Sequence, residues 1–266
     1  MIVYADNAAT TKISEKALQA MMPCFEKYYG NPSSLHTVGQ EAKEVLEDAR
    51  ARVAKCLGCE PREIYFTSGG SEADNQAIRS AAIYGARKGK KHIISTPFEH
   101  HAVLHTLDQL IKEGFEVTYL DVKEGHNVTA QQVKDAIRED TCLVTTMYAN
   151  NEIGSVLPIA EIGAICKEAG VPFHTDAVQA VGHIAIYVKE QNIDMLSLSG
   201  HKFHGPRGVG ALYCRKGLPL VSIIEGGAQE RGKRAGTENT PAIVGMTVAL
   251  EEACANLEEN NAISRR

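Results

Sequence analysis

The sequence predicts an α/β fold: a mostly parallel, seven-stranded sheet with helices on both faces. Three observations carry this expectation. Seven short apolar runs have strand length, amphipathic runs of helical period separate the earlier ones, and glycines, histidines and acids gather just beyond the ends of the runs. Strands alternating with helices imply right-handed crossovers, which lay the strands parallel and cover both faces of the sheet.

The elements follow in order. Ser14 to Tyr28 has helical periodicity with Pro23 to kink it, and Gly39 to Leu57 is a second amphipathic helix stopped by Gly58. The first strand is Glu63 to Thr67, followed by a glycine turn and a helix from Ser71 to about Arg87. Further strands are expected at 92–95, 116–121, 143–148, 172–175, 195–198 and 210–214, with helices at 100–113, 129–138, 158–169 and 241–259. No internal repeat, low-complexity tract or linker divides the chain. Residues 1–13 read as an N-terminal arm, 14–259 as one large domain and 260–266 as a C-terminal tail.

Composition narrows the function classes. The 266 residues are 44% hydrophobic and 23% charged, enough for one large domain with a real core. A net charge of −5 argues against nucleic acid or an acidic membrane surface as the main partner. No apolar run approaches the roughly 18 residues of a membrane span. The start, MIVYADNAATT, lacks the basic and apolar regions of a secretory signal, so a cytoplasmic location is expected. The seven cysteines are scattered, mostly in apolar segments, as suits reduced core residues. Cys56-Leu-Gly-Cys59 is a CxxC with no second ligand pair at a suitable distance, so no metal is expected.

In an open parallel sheet, ligands sit beyond the carboxyl ends of the strands. The unusual residues are there. After 63–67 comes Ser68-Gly69-Gly70-Ser71-Glu72-Ala73-Asp74, where two glycines admit a close ligand, a helix start suits a phosphate, and Ser71 with Asp74 fits a capping box. Thr96-Pro97-Phe98-Glu99-His100-His101 follows 92–95, and Asn150-Asn151-Glu152-Ile153-Gly154 follows 143–148. Asp176 follows 172–175, with Gln179 three residues on. Singly, these are a helix cap, a helix start with solvated histidines, a turn and an N-cap. Their joint occurrence points to one site.

The last strand-end loop lies within Ser197 to Gly210, SLSGHKFHGPRGVG, and sets Lys202 between His201 and Phe203. Lysine is strongly hydrated and rarely buried without a partner. A lysine, an acid, a flat side chain and a phosphate cradle on one sheet edge are what pyridoxal 5′-phosphate requires. The amine forms the Schiff base, the carboxylate keeps the pyridine nitrogen protonated, and the phosphate takes the donors.

On these residues the chain resembles the cysteine desulfurases of the NifS/IscS-like group, within the class V aminotransferase family of fold-type I enzymes. The matching pieces are YADNAATT (4–11), GNPSSLHTVGQEA (30–42), FTSGGSEADN (66–75), EHHAV (99–103), NNEIG (150–154), HTDAVQAVG (174–182), SLSGHKFHGPRGVGALY (197–213) and GGAQERGKRAGTEN (226–239). They span nearly the whole chain in the family's order. The resemblance implies the large domain of a fold-type I PLP-dependent transferase over 14–259. It makes Lys202 the Schiff-base lysine, Asp176 the partner of the ring nitrogen, and His100 the imidazole that stacks on the ring and moves protons. Gln179 would bond the phenolic oxygen, Asn151 would orient the ring oxygen or the substrate carboxylate, and Gly70, Ser71, Ser199 and His201 would form the phosphate cradle. Thr237, in RAGTEN, corresponds to a residue that reaches the phosphate of the neighbouring subunit, which implies a homodimer with shared sites.

The implied reaction converts L-cysteine to L-alanine, with the sulfur leaving as a persulfide on an enzyme cysteine. It then passes to an acceptor or scaffold protein for iron–sulfur clusters, thiolated cofactors or tRNA. The sequence departs from the pattern at its end. The resemblance leads one to expect a small C-terminal domain carrying the persulfide cysteine and a carboxylate-binding arginine, and the chain stops at Arg266 before it. Low activity of this chain alone is the corresponding expectation. None of the seven cysteines matches the persulfide position, and Cys214, in GALYC, reads as a buried strand residue. Two other readings stay open, a non-catalytic cofactor-binding dimer or partner-binding pseudoenzyme, and a selenocysteine lyase-like relative, the latter disfavoured by RAGTEN and NNEIG.

Overall fold

Seven strands form one sheet in the computed structural model, which describes residues 3–122 and 128–264. They are β1 Ile64–Thr67, β2 His92–Ser95, β3 Glu116–Tyr119, β4 Thr141–Thr145, β5 Phe173–Asp176, β6 Met195–Ser199 and β7 Gly210–Cys214. Their order across the sheet is β1-β7-β6-β5-β4-β2-β3. The pairs β2–β3, β2–β4, β4–β5 and β5–β6 are parallel, and β7 alone runs antiparallel to both its neighbours, β6 and β1. The reversal has a simple cause. The connection 200–209 carries only a single 3-10 turn, Gly200–Lys202, and has no helix with which to cross the sheet and return parallel.

The helices are α1 Glu15–Glu26, α2 Thr37–Leu57, α3 Gly70–Ala86, α4 His101–Lys112, α5 Ala130–Ala136, α6 Ile159–Ala169, α7 Gln229–Gly232 (one distorted turn), α8 Thr240–Ala255 and α9 Leu257–Ser264. Local chemistry sets their ends. The Ser14 hydroxyl accepts from Ala17 N to start α1, and Gly58, at φ 69°, closes α2 in the left-handed conformation that glycine adopts without cost. Both faces of the sheet are covered. Ala73, Ala77 and Ile78 of α3 and Val103 and Leu107 of α4 pack on Ile93, Leu143 and Leu212. The alternate strand residues, Ile94, Val144, Phe173, Leu196 and Tyr213, join a second cluster with α2, α6 and α8.

Two expectations shift. The helix expected over 241–259 is two helices, α8 and α9, with Asn256 between them. The strand expected at 143–148 ends at Thr145, but its hydrogen bonding to β5 continues, from Thr146 N to His174 O (3.2 Å) and from Tyr148 N to Asp176 O (2.8 Å). Met1, Ile2, Arg265 and Arg266, the outer ends of the expected arm and tail, lie outside the described residues.

Candidate functional site

The carboxyl ends of the parallel strands open into a cleft of about 550 Å3. Nine of the ten residues singled out from the sequence line it: Gly70, Ser71, His100, Asn151, Asp176, Gln179, Ser199, His201 and Lys202. Thr237 does not; it is exposed in the loop 226–239. A larger cavity of about 580 Å3 lies at the opposite, amino ends of the strands among Cys142, Cys166, Met195 and Tyr213. It holds none of the strand-end residues, so the chemistry belongs to the smaller cleft.

The glycine turn builds one wall. Gly69 sits at φ 153°, ψ −177°, a conformation open only to glycine, and serves as N-cap of α3 without a side-chain cap. A Cβ on Gly70 would stand 2.5 Å from Val178 Cγ2, so the start of α3 is bare where it faces the cleft. The expected capping box of Ser71 with Asp74 is not formed. The helix begins at Gly70, and Asp74 is 1% exposed, turned into the protein rather than back to the cap. Glu72 does the reaching back, with Oε2 accepting from Ser68 N at 2.8 Å.

The next two loops add an imidazole and an amide. His100 is the N-cap of α4, and its Nδ1 accepts from Ala102 N at 3.1 Å. Asn150 fixes the turn that presents Asn151: its Nδ2 donates to Phe98 O, and its Oδ1 accepts from Glu152 N and Ile153 N. Asp176, at the end of β5, is 5% exposed and accepts from Val178 N at 2.9 Å; a turn follows it, not a helix. Burial raises its pKa, opposed by that N–H and by the nearby His100 and Lys202.

Lys202 projects from the 3-10 turn after β6 and donates to the carbonyls of Ala8 and, at 3.1 Å, Ala9. Burial pulls its amine below the ordinary lysine range, with Asp176 and Asp6 acting the other way. Gln179 Nε2 donates to the same Ala8 carbonyl at 3.0 Å, and His201 Nδ1 meets Thr10 Oγ1 at 3.0 Å. The N-terminal arm is thereby part of the cleft, a role its sequence did not declare. Arg207 and Met147 also line the cleft without having been singled out, and Asp74 lines it in place of the capping role expected of it.

The thiols stand apart. Among the described residues no cysteine lines the cleft. Burial pushes Cys142 up to about 11 and Cys59, Cys166 and Cys214 up to about 12, which keeps them as unreactive thiols. Cys214 is 3% exposed within β7, the buried strand position expected of it.

The aminotransferase class-V family profile matches residues 3–265, nearly the whole chain. The chain belongs to the class-V aminotransferase family. It is 54% identical over 259 residues to a cysteine desulfurase IscS of Clostridium botulinum, covering 97% of this chain and 65% of that protein. It is 53% identical to the IscS of Methanosarcina thermophila, covering 97% of this chain and 64% of that one. The chain thus spans about two thirds of the length of these relatives. Among solved structures, a NifS-like protein superposes with a TM-score of 0.94 at 43% identity over 97% of this chain and 71% of that one. A structure described as SspA in complex with cysteine gives 0.90 at 45% identity, covering 94% and 72%.

Class-V aminotransferases work with pyridoxal 5′-phosphate, and the cleft fits that group. The bare glycine turn at the start of α3, a 17-residue helix, offers backbone N–H groups and a positive dipole end to a phosphate. Asp176 supplies a buried carboxylate for a ring nitrogen, and Lys202 an amine whose pKa is lowered. The cleft volume lies within the usual range for a cofactor site.

Proposed function

We propose that this chain is the cofactor-binding part of a cysteine desulfurase, taking L-cysteine and releasing L-alanine while its sulfur passes to an acceptor or scaffold protein. One observation carries the reading most: five separate strand-end loops bring Gly70, His100, Asn151, Asp176 and Lys202 to one cleft. When bound, pyridoxal 5′-phosphate supplies an electron sink at the substrate's α-carbon. The protein's residues do the rest. Lys202 Nζ, whose pKa burial lowers, is the nucleophilic amine that holds the cofactor. Asp176 keeps the proton on the ring nitrogen by a charge-assisted bond, and Gln179 orients the ring from its oxygen edge. His100 covers the ring face and carries protons to and from the substrate. Gly70, Ser71, Ser199 and His201 bind the phosphate, and Asn151 orients the ring oxygen or the substrate carboxylate. Thr237 completes the phosphate site of a second copy, so the working unit is a homodimer, and a cytoplasmic one. Iron–sulfur cluster assembly and thiolation of cofactors or tRNA are the destinations proposed for the sulfur.

A second reading, a cofactor-binding chain that does not itself transfer sulfur, is favoured by the absence of a cysteine from the cleft among the described residues. One experiment separates them. Borohydride reduction of one sample of the cofactor-loaded protein should fix the cofactor to Lys202, with Lys202→Ala abolishing the label, and a second, unreduced sample should be incubated with cysteine and followed for alanine. Label on another lysine would remove the proposed site. Label on Lys202 without alanine would favour the second reading.

A further inference from the structure

Near Asp176 lie two more buried carboxyl groups that the functional reading leaves without a role, one in the lining of the cleft (Asp74) and one packed behind it (Glu99). Asp74, early in α3, is 1% exposed, and Glu99, in the loop between β2 and α4, is 5% exposed. Oxygens of Asp74 and Asp176 and a ring nitrogen of His100 lie within 4.8 Å of one another. Carboxyl groups this close and out of water cannot all ionise. Their surroundings decide which one does.

Asp74 has no countercharge. Its Oδ1 has no hydrogen-bond partner and lies 3.6 Å from His174 Nε2, too far for a hydrogen bond. His174 is itself occupied, with Nδ1 2.8 Å from Thr145 Oγ1 and Nε2 3.0 Å from Ser197 Oγ. Burial pushes this imidazole down to about 3, so it is neutral. Glu99 is in the same position. Its Oε1 accepts from Thr96 Oγ1 at 2.5 Å and from Met147 N at 2.9 Å, while Oε2 has no partner. No lysine or arginine among the described residues pairs with either acid. Burial accordingly raises Asp74 well above the carboxylate range and Glu99 to about 8, with the other acids of the cluster adding to it. Burial raises Asp176 too, but unlike the other two it has the Val178 N–H, His100 and Lys202 beside it, all of which favour its charged form.

We propose that Asp74 and Glu99 are positioning residues, neutral carboxylic acids at pH 7 that brace Asp176 and leave it the one anionic side chain of this cluster. The proposal rests on the reading of the cleft as a pyridoxal 5′-phosphate site. A second negative charge beside Asp176 would draw the proton of the ring nitrogen onto the acids themselves, and the cofactor's partner would then be a neutral acid. Keeping Asp74 and Glu99 protonated avoids that.

Infrared spectroscopy reads protonated carboxylic acids directly, with or without cofactor. Asp74→Asn and Glu99→Gln should each remove one protonated-acid carbonyl band at pH 7. In cofactor titrations, Asp74→Ala and Glu99→Leu should weaken binding about tenfold, as expected when a buried polar group loses its partners. The amide variants, which keep shape and neutrality, should restore affinity to within about twofold. Loss of an ionised-carboxylate band instead would overturn the charge assignment, as would amide variants as weak as the truncated ones. Full affinity in the truncated variants would remove the positioning role. If the truncated variants fail to fold, the amide variants and their spectra still decide the question. If the unmodified protein binds no cofactor, the functional reading fails, while the infrared bands still report which acids are neutral.

Discussion

Arg50 and Glu230 meet as a bidentate ion pair sealed from water, with Nη1 and Nη2 each 2.7 Å from a carboxylate oxygen and side chains only 3% and 1% exposed. The pair closes the edge of the sheet. β1 is the terminal strand on its side, and Glu230 Oε2 accepts from Phe66 N at 2.9 Å while Arg50 Nη1 and Arg231 Nη2 donate to Ile64 O at 3.0 and 2.6 Å. Backbone groups that would otherwise invite another strand are thereby satisfied. Glu230 (φ 46°) and Arg231 (φ 58°) adopt left-handed conformations unfavourable for side-chain-bearing residues, so these contacts hold the loop 226–239 against its own backbone preference.

Breaking the pair from one side should be severe. Arg50→Met leaves the buried Glu230 carboxylate without a countercharge and should lower stability by about 3–5 kcal/mol, measured by denaturant unfolding, whereas after Glu230→Gln the Arg50 Nε keeps Glu47 at 3.2 Å and the loss should be smaller. Replacing both with apolar residues of similar size should cost less than Arg50→Met alone. An Arg50→Met loss below about 1 kcal/mol would mean that water or another group reaches the remaining charge.

Glu99 predicts a fall in stability above neutrality. Its folded-state pKa is raised from the ordinary range to about 8, so between those values the folded protein holds a proton that the unfolded chain releases. Stability must then decline as pH rises, by about 1.4 kcal/mol per unit for one proton. His174 acts oppositely: its folded value of about 3 lies below the unfolded one, so its contribution is complete above about 6.5 and is lost in acid. From pH 6.5 to 8 Glu99 therefore slopes the curve downward while His174 contributes no slope. Glu99→Gln should flatten that stretch by about 2 kcal/mol in total. An unchanged slope would show that Glu99 is already ionised at pH 6.5.

What the sequence disclosed and what it withheld divide along the range of the interactions. Gly58 ends α2 and Asp176 ends β5 because of chemistry within a few residues, and both were legible in the string of letters. The nine cleft residues were legible because they stand at strand ends or in the loops and helix starts just beyond them, and the family resemblance then picked them out there. Asp74 was misjudged as a cap because its position after a glycine turn is where a capping acid stands; only the distant His174 and Asp176 reveal that it is buried. Arg50 looked like one more polar residue on an amphipathic helix, and nothing local connects it with Glu230. The contact of Lys202 with the Ala8 carbonyl is equally invisible, since an alanine advertises nothing of its backbone.

Asp176→Asn isolates charge from shape. The amide can keep the bond from Val178 N, yet it cannot hold a ring nitrogen protonated through a charge-assisted bond. The loss expected for such a bond is about 1.5–3 kcal/mol, or roughly 10- to 100-fold in cofactor affinity. Borohydride should still label Lys202. Unchanged affinity, measured by titration of the visible band, would show that Asp176 does not meet the cofactor as an anion.

Thr237 offers the sharpest test of assembly. It is exposed outside its own cleft, on a loop anchored by Glu230 to β1 and by Arg234 to Glu72 beside the glycine turn, with Arg234 Nε 2.8 Å from Glu72 Oε1. An exposed residue on a loop anchored in this way, outside its own chain's cleft, suits a site completed between two copies. The purified protein should therefore be a dimer by light scattering, and Thr237→Ala should weaken cofactor binding about tenfold without dissociating it. Mixed dimers discriminate further. Pairing a Thr237→Ala chain with a Lys202→Ala chain regenerates one site with both residues if Thr237 acts across the interface, and none if it acts within its own chain. Full-affinity labelling at half the sites is the expected result. A monomer that binds the cofactor at full strength would place Thr237 outside the phosphate site, and mixed dimers with no restored site would mean that Thr237 acts within its own chain and overturn the shared site.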